Sequence, residues 1–249
     1  MERRMKKFFA LSAVLWLFTA CSADSSSDSA SGPSTGQGGS LARFTIANDH
    51  LFAVNDNSLN VFDISNPANA IYLSKHSLFT TVETIFARDS NTIFIGSTSG
   101  MFIYDVSNAP NVERLSSYQH VVACDPVVAN EDYAYVTLRS EQNSNFCWRS
   151  VNQLDIIDIR DLRNPQLVSS FPMVNPRGLG IYGDTLLVCD NGLKVLDVSD
   201  PLSLELLDVD EDFDAFDLIP YGDLIIAVSE DGLSQYRFRN GKLNLLSKL

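Results

Sequence analysis

Leu193-Lys-Val-Leu-Asp-Val-Ser-Asp-Pro201 is the stretch that decides the fold, because four more segments of the chain superimpose on it. The fifth residue is an aspartate in four copies and an arginine in the last, and successive fifth residues are 42, 53, 39 and 40 positions apart. Self-similarity at a period near forty residues indicates a repeat architecture. The other copies are Leu59–Pro67, Met101–Ala109, Leu154–Leu162 and Leu233–Gly241.

Each repeat contains four short apolar runs that are rich in Val, Ile, Phe and Tyr and are bounded by polar turn residues. Such runs predict β-strands joined by hairpins. Four-stranded units of about forty residues are the blades of a β-propeller. How the first and last blades join is left open, because no strand is visibly shared between them. The sequence predicts an all-β protein, a β-propeller of five four-stranded blades at about 41–80, 81–119, 120–174, 175–210 and 211–249.

The repeated phrase resembles the LVIVD repeat family of bacteria. The likeness runs over nearly all of 41–249 and is closest in Tyr133–Arg139, Val151–Ile159 and Gly192–Val198. The last repeat departs from it, since Arg237 replaces the aspartate and no proline follows. The resemblance implies a propeller-like protein that is exported and often lipid-anchored, and it implies no known reaction.

The first twenty residues have the composition of an export signal. A basic stretch precedes the apolar run Phe8–Phe18, which is too short to span a membrane because a spanning helix needs about 20 apolar residues. Thr19 and Ala20 then place small residues before Cys21, and this arrangement resembles the bacterial lipobox. We therefore expect a lipoprotein signal peptide at 1–20 and lipidation of Cys21, with an ordinary secreted protein as the alternative.

Residues 21–40 are rich in serine and glycine and contain no aromatic residue, so we expect a flexible tether there. Asp24 and Asp28 resemble the surface-export signal of lipoproteins from Bacteroidetes-type bacteria. The sequence thus predicts an outer-membrane lipoprotein on the cell surface or the periplasmic face, with the membrane as a partner through its N-terminal lipid.

Blade three contains an insertion near 139–152, because the spacing that leads to its motif is 53 residues. Loops that a rigid scaffold displays often carry binding groups. Aromatic rings beside guanidinium groups suit a sugar, a carboxylate or a peptide. The expected partner is an unknown envelope protein, peptide or glycan. The binding candidates in the insertion are Arg139, Phe146, Trp148 and Arg149.

Two further charged residues stand at the beginning of blades, where the first strand usually lines the central channel. Asp125 opens blade three and Arg177 opens blade four. Together with Arg139 and Arg149 they are predicted to form a polar mouth at one end of the channel. A structural ion pair among these groups is the alternative.

Three cysteines remain after Cys21. Cys124 begins blade three and Cys147 lies in the insertion of the same blade, so a disulfide between them would hold the insertion on the blade. Two free thiols are the alternative. Cys189 lies in an apolar run and is expected to be a small buried residue.

We expect the acidic residues to stabilise turns and not to act as catalytic or metal-binding groups. The repeated aspartates at 63, 105, 158 and 197 are expected to cap turns by accepting backbone N–H bonds. The run 208–214 offers weak calcium candidates in Asp208, Asp210 and Asp212, but it lacks the glycine and the closing glutamate of an EF-hand, so a solvated loop between blades is preferred.

No catalytic motif is visible, and no catalytic residue or cofactor is predicted. The net charge is −13 and becomes −16 without the first twenty residues, which carry +3, and this disfavours nucleic acid as a partner. The leading hypothesis is a non-catalytic binding or scaffolding protein at the cell envelope. The alternative is a glycan-active hydrolase or lyase with its site in the axial channel.

Overall fold

The computed structural model describes residues 38–119, 126–140 and 151–249, which form twenty β-strands. The strands make five four-stranded antiparallel sheets of consecutive strands, so the predicted five-bladed propeller is confirmed. The strands are, in blade one, β1 Phe44–Ala47, β2 His50–Asn55, β3 Ser58–Asp63 and β4 Ile71–Ser77; in blade two, β5 Val82–Ala87, β6 Thr92–Ser97, β7 Gly100–Asp105 and β8 Glu113–Gln119; in blade three, β9 Val127–Ala129, β10 Tyr133–Leu138, β11 Gln153–Asp158 and β12 Gln166–Pro172; in blade four, β13 Pro176–Tyr182, β14 Thr185–Asp190, β15 Leu193–Asp197 and β16 Glu205–Asp210; in blade five, β17 Ala215–Tyr221, β18 Leu224–Ser229, β19 Gly232–Arg239 and β20 Lys242–Lys248.

Each blade is a meander whose first strand lies innermost. Successive inner strands contact one another, β1 with β5, β5 with β9, β9 with β13 and β13 with β17. Because neighbouring strands are antiparallel, the loops between blades and the turns from second to third strands lie at one end of the propeller. We call this end the mouth face. The remaining hairpin turns lie at the opposite end.

The repeated motif forms the third strand of every blade. Its first and third residues are fully buried in blades one to four, as Leu193 and Val195 are in blade four. Its pairing with the outer strand shifts register between the third and fourth residues of the motif in all five blades. Such a β-bulge bends the strand and increases its twist. The motif therefore encodes both the packing of a blade and its curvature.

Apolar cores fill the four boundaries between successive blades, from one and two to four and five. Between blades four and five, for example, Leu187 and Leu193 pack with Ile225 and Tyr236. Blades two, three and four each pack against a neighbouring blade on both faces. This explains why every residue of strand β6, in blade two, is buried. This packing supplies most of the apolar area that stabilises the fold.

The boundary between blades five and one is built differently. Among the described residues, no apolar cluster spans it. Phe44 and Tyr72 of blade one are 58% and 55% exposed, and Val228 of blade five is 40% exposed. In the last motif, Gln235 stands where the other copies have valine or isoleucine. Apolar packing therefore does not close the ring.

Hydrogen bonds between the segment before β1 and the inner strands of blades four and five join the two ends of the ring. The Oδ1 atom of Asp217 accepts bonds from Ser40 N at 3.2 Å and Ser40 Oγ at 3.1 Å, and its Oδ2 atom accepts one from Leu41 N at 3.0 Å. Ser40 Oγ in turn accepts a bond from Leu179 N at 2.6 Å. We call this contact the Ser40–Asp217 latch.

Two glycines permit the close approach that the latch requires. A Cβ atom on Gly39 would lie 2.1 Å from Asp217 Oδ2, and one on Gly178 would lie 2.3 Å from Asp217 Oδ1. Burial raises the pKa of the Asp217 carboxyl above its ordinary value, and hydrogen bonds from Leu41, Leu218 and Ser40 offset part of that rise. The latch is thus a close, partly desolvated polar contact.

The repeated aspartates cap turns at the opposite end, as predicted. Asp63 accepts a bond from Ser65 N and Asp197 one from Ser199 N, both at 2.8 Å, and Asp105 and Asp158 make the equivalent bonds. Side-chain and backbone hydrogen bonds from the residue two positions on lower the pKa of all four carboxyls. The ionised caps therefore stabilise the fold above the ordinary pKa of 3.8, and this contribution is lost as the pH falls through the lowered values.

The structure tests the prediction for one of the three cysteines of the blades. Cys189 is completely buried in β14 and is a free thiol, which confirms its predicted place, and burial raises its pKa well above the ordinary value. Cys124 and Cys147 lie outside the described residues, so their pairing stays a prediction. Cys21 also lies outside them. Within the described ranges, no helix is long and apolar enough to cross a membrane.

Candidate functional site at the axial mouth

The inner strands of all five blades surround an axial cavity of about 250 Å³. Most residues that line it are apolar, among them Ile85, Val128 and Leu179 from three successive blades and Pro220 from blade five. Arg88 stands at the end of this wall that is remote from the mouth face. The described wall of the axial cavity contains no carboxylate.

A second cavity, of about 480 Å³, opens where the inner strands begin, and we call it the mouth cavity. Every blade contributes to its lining. Glu83, Arg177 and Phe216 are each the second residue of an inner strand, so the repeat places them at equivalent positions. The lining consists of Leu41, Glu83, Pro126, Arg139, Arg177 and Phe216.

Arg177 is the best-defined charged group of the mouth cavity. Its Cζ atom lies 5.0 Å from the ring centroid of Phe216, a cation–π contact, and its Nη1 atom lies 3.2 Å from Asp214 Oδ2. The buried hydroxyl of Thr137 donates a 2.8 Å bond to the carbonyl oxygen of Arg177 and so fixes its backbone. The side chain is 20% exposed. A guanidinium held in this way is preorganised for a planar anion.

Arg139 brings the base of the blade-three insertion to the same cavity. It follows the last residue of β10, and β11 resumes at Gln153, so the insertion leaves and re-enters at the mouth face. Ser140 N donates a 2.9 Å bond to Asn152 Oδ1, and Asn152 Nδ2 donates a 2.7 Å bond to Val174 O. These bonds close the base of the insertion and attach it to the segment that leads into blade four.

The mouth face also exposes apolar side chains in its loops. Phe79, between blades one and two, is 95% exposed and has a positive φ of 56°, which is strained for a bulky residue. Val174, between blades three and four, is 59% exposed. Both side chains lie on the face at which the mouth cavity opens and are available for contact with a ligand there.

The structure brings together two of the residues that the sequence nominated for a polar mouth, Arg139 and Arg177. Their role as binding residues stays a prediction. The sequence did not point to Glu83 or Phe216, although an alignment of the inner strands would have placed both beside Arg177. The other nominated residues, Asp125, Phe146, Trp148 and Arg149, lie outside the described residues.

The acidic run forms the expected loop between blades only at 211–214, where Asp212 lies, because strand β16 extends to Asp210. Within that strand, Asp208 accepts bonds from Leu243 N and Lys242 Nζ, and Asp210 accepts one from the Tyr236 hydroxyl. Residues of blade five therefore already bond to these two carboxylates. In 38–119, 126–140 and 151–249, no group of three or more potential ligands could hold a metal ion.

The strands and the axial cavity define the chain as a β-propeller, and comparison with solved structures agrees. A protein from Lactobacillus plantarum aligns with a TM-score of 0.65 and 15% identity, over 80% of this chain and 67% of that one. Periplasmic gluconolactonase PpgL from Pseudomonas aeruginosa aligns with a TM-score of 0.60 and 12% identity, over 80% and 66%. KlAtg21, solved with the coiled coil of AgAtg16, aligns with a TM-score of 0.56 and 10% identity, over 78% and 65%. The chain thus spans about two thirds of their length, and these identities establish the fold alone.

Comparison with sequence families identifies the repeat from which this β-propeller is built. Three segments match the LVIVD repeat, at residues 48–75, 149–172 and 177–208. The protein is therefore a β-propeller in which LVIVD repeats are detected, as the sequence motif indicated. No curated protein sequence matches the chain.

Proposed function

We propose that the protein is a non-catalytic binding propeller of the cell envelope that holds its ligand in the mouth cavity. The observation that carries this proposal is the cavity itself, where Arg139 and Arg177 stand in an otherwise largely apolar lining to which all five blades contribute. Cavities of this size with a few converging polar groups are the usual sites of ligand recognition. The exposed Phe79 and Val174 provide further contacts on the same face.

The described lining favours binding over glycan hydrolysis. Glycoside hydrolysis generally uses a pair of carboxylates, and Glu83 is the single carboxylate among the described residues that line the mouth cavity. The gluconolactonase aligns at 12% identity, which carries no catalytic residue over to this chain. The complex of KlAtg21 with a coiled coil shows that a propeller of related fold takes a protein partner. A binding role is the function that these observations support best.

The envelope location rests on the first part of the sequence. Lipid on Cys21 would hold the propeller near a membrane through the serine- and glycine-rich segment expected to be a tether. The end of the predicted tether at 21–40 belongs to the fold instead, because Ser40 is buried in the latch. The mouth cavity would then sample partners at the membrane surface.

Affinity capture from native envelope fractions tests the proposal. Full-length, lipid-anchored protein should retain a partner that the double variant Arg139→Ala/Arg177→Ala retains at least about tenfold less, because charged hydrogen bonds to a ligand contribute about 1.5–3 kcal/mol. The matched control is Arg163→Ala/Arg239→Ala, which removes the same charge from side chains that are 63% and 65% exposed at the opposite end. Equal retention by both double variants and the unmodified protein would contradict a site at the mouth.

A further inference from the structure

We infer that the ligand of the mouth cavity carries one carboxylate on an apolar body. This inference rests on the proposed function and makes its ligand specific. Three features of the cavity lead to it: the state of the Arg177 guanidinium, the balance of charges in the lining, and the apolar wall opposite the charges.

Among the described residues, Asp214 is the one whose side chain accepts a hydrogen bond from the Arg177 guanidinium. Asp214 accepts from Nη1 at 3.2 Å, and the carboxylate of Asp214 is itself 60% exposed, so this ion pair lies at the rim of the site. A guanidinium has five N–H donors and matches a carboxylate through two parallel bonds. Stacking on Phe216 holds the plane of the guanidinium, so little side-chain freedom is lost when a carboxylate binds.

The charges around the mouth cavity favour one carboxylate over a dianion. Arg139 and Arg177 supply two positive charges and Glu83 supplies one negative charge. Asp214 adds a second negative charge beside Arg177, so a dianion would be repelled by both Glu83 and Asp214. A neutral ligand would leave the remaining N–H donors of Arg177 without a charged acceptor.

The remaining lining is apolar. Leu41, Pro126 and the face of Phe216 stand beside the arginines in a cavity of about 480 Å³. Such a wall favours aliphatic or aromatic groups, because burying apolar surface contributes about 25 cal/mol per Å². Among the described residues, this apolar part of the lining offers no side-chain donors or acceptors to the hydroxyls of a sugar. The body of the ligand is therefore apolar.

Two sources supply this chemistry, a free apolar carboxylic acid and the C-terminus of a peptide. Calorimetric titration of the full-length protein separates them, with N-acetylphenylalanine, N-acetyl-Ala-Ala-Phe, their C-terminal amides and glucuronate as probes. The acids should bind at least about tenfold more tightly than the amides and than glucuronate. Tighter binding of the tripeptide acid than of N-acetylphenylalanine would identify a peptide C-terminus, and similar affinities would identify a free acid.

Amides that bind as tightly as the acids, glucuronate that binds as tightly as N-acetylphenylalanine, or the absence of binding by every probe would each overturn the inference. The capture experiment would still stand in those cases, because it does not assume a carboxylate. Acid binding that does not depend on the mouth would overturn the inference alone, whereas unchanged capture by the double variant of the mouth would overturn the proposed function.

Variants of Arg177 complete the test. Arg177→Ala should weaken binding of the acids about ten- to a hundredfold, and Arg177→Lys about tenfold, since lysine keeps the charge and loses the paired bonds. Arg163→Ala should leave the affinity unchanged. If Arg177→Ala does not fold, as judged by circular dichroism, Arg177→Lys carries the test. Wild-type affinity in a folded Arg177 variant would overturn the inference.

Discussion

Asp217→Ala is expected to lower the free energy of unfolding by about 2–3 kcal/mol, a fall in Tm of roughly 5–10 °C for a domain of this size. The variant removes the acceptor of three hydrogen bonds from Ser40 and Leu41 at the one blade boundary that lacks an apolar core of described residues. It also leaves buried donors without a partner. Thermal and urea unfolding of the full chain measure the effect.

Asp56→Ala is the matched control, since the Asp56 side chain is 93% exposed and makes a single ion pair at 3.4 Å. It should change the stability by less than about 0.5 kcal/mol. Ser40→Ala should cost about 1–2 kcal/mol, and its effect should not add to that of Asp217→Ala because both variants break one network. An Asp217→Ala protein as stable as Asp56→Ala would show that the latch does not join the ends of the ring.

The pH dependence of Asp217 has a defined sign. Because its pKa is higher in the folded chain than in the unfolded chain, ionisation of this carboxyl lowers the folding stability as the pH rises from the ordinary value of 3.8 through the raised value. Asp217→Asn abolishes that component and keeps one acceptor. The difference in stability between wild type and Asp217→Asn should therefore be most favourable to wild type at acidic pH.

Cys21→Ala should abolish anchoring by lipid. Without the thiol no acyl chains can be attached, and two or three chains contribute nearly all of the membrane affinity at about 0.8 kcal/mol per buried CH₂ group. Fractionation should find the variant either soluble or as an uncleaved precursor, and mass spectrometry of the wild-type N-terminus should find an acylated cysteine.

Cys189→Ala is the matched cysteine control, because this thiol is buried in β14 far from the signal in sequence. It should stay anchored. A Cys21→Ala protein that is processed normally and still requires detergent for release would contradict lipidation.

The blades were predictable because their information is local and repeated. The motif ending at Pro201 carries the alternation that buries Leu193 and Val195, and its aspartate caps the next turn in four of five copies. Five appearances of one pattern outweigh the ambiguity of any single short apolar run. The blade-three insertion was visible for the same reason, as a break in an otherwise regular spacing.

The closure of the ring and most of the mouth were not predictable because they depend on contacts between distant residues. Ser40 and Asp217 are 177 positions apart, and Ser40 reads as the last residue of a flexible tether. The last motif was the local sign that blade five differs, since Gln235 and Arg237 depart from the residues of the other copies. Phe216 is an ordinary apolar strand residue until the inner strands are aligned and its ring appears beneath Arg177.

Hydrogen–deuterium exchange of the full-length protein, with and without the ligand recovered by capture, tests most directly whether the propeller binds through its mouth. The account predicts slower exchange at the starts of the inner strands and the base of the insertion, around Leu41, Glu83, Arg139, Arg177 and Phe216. The turns at the opposite end, such as the one capped by Asp63, should exchange at unchanged rates. Protection confined to those turns or to the outer strands, with none at the mouth, would contradict it.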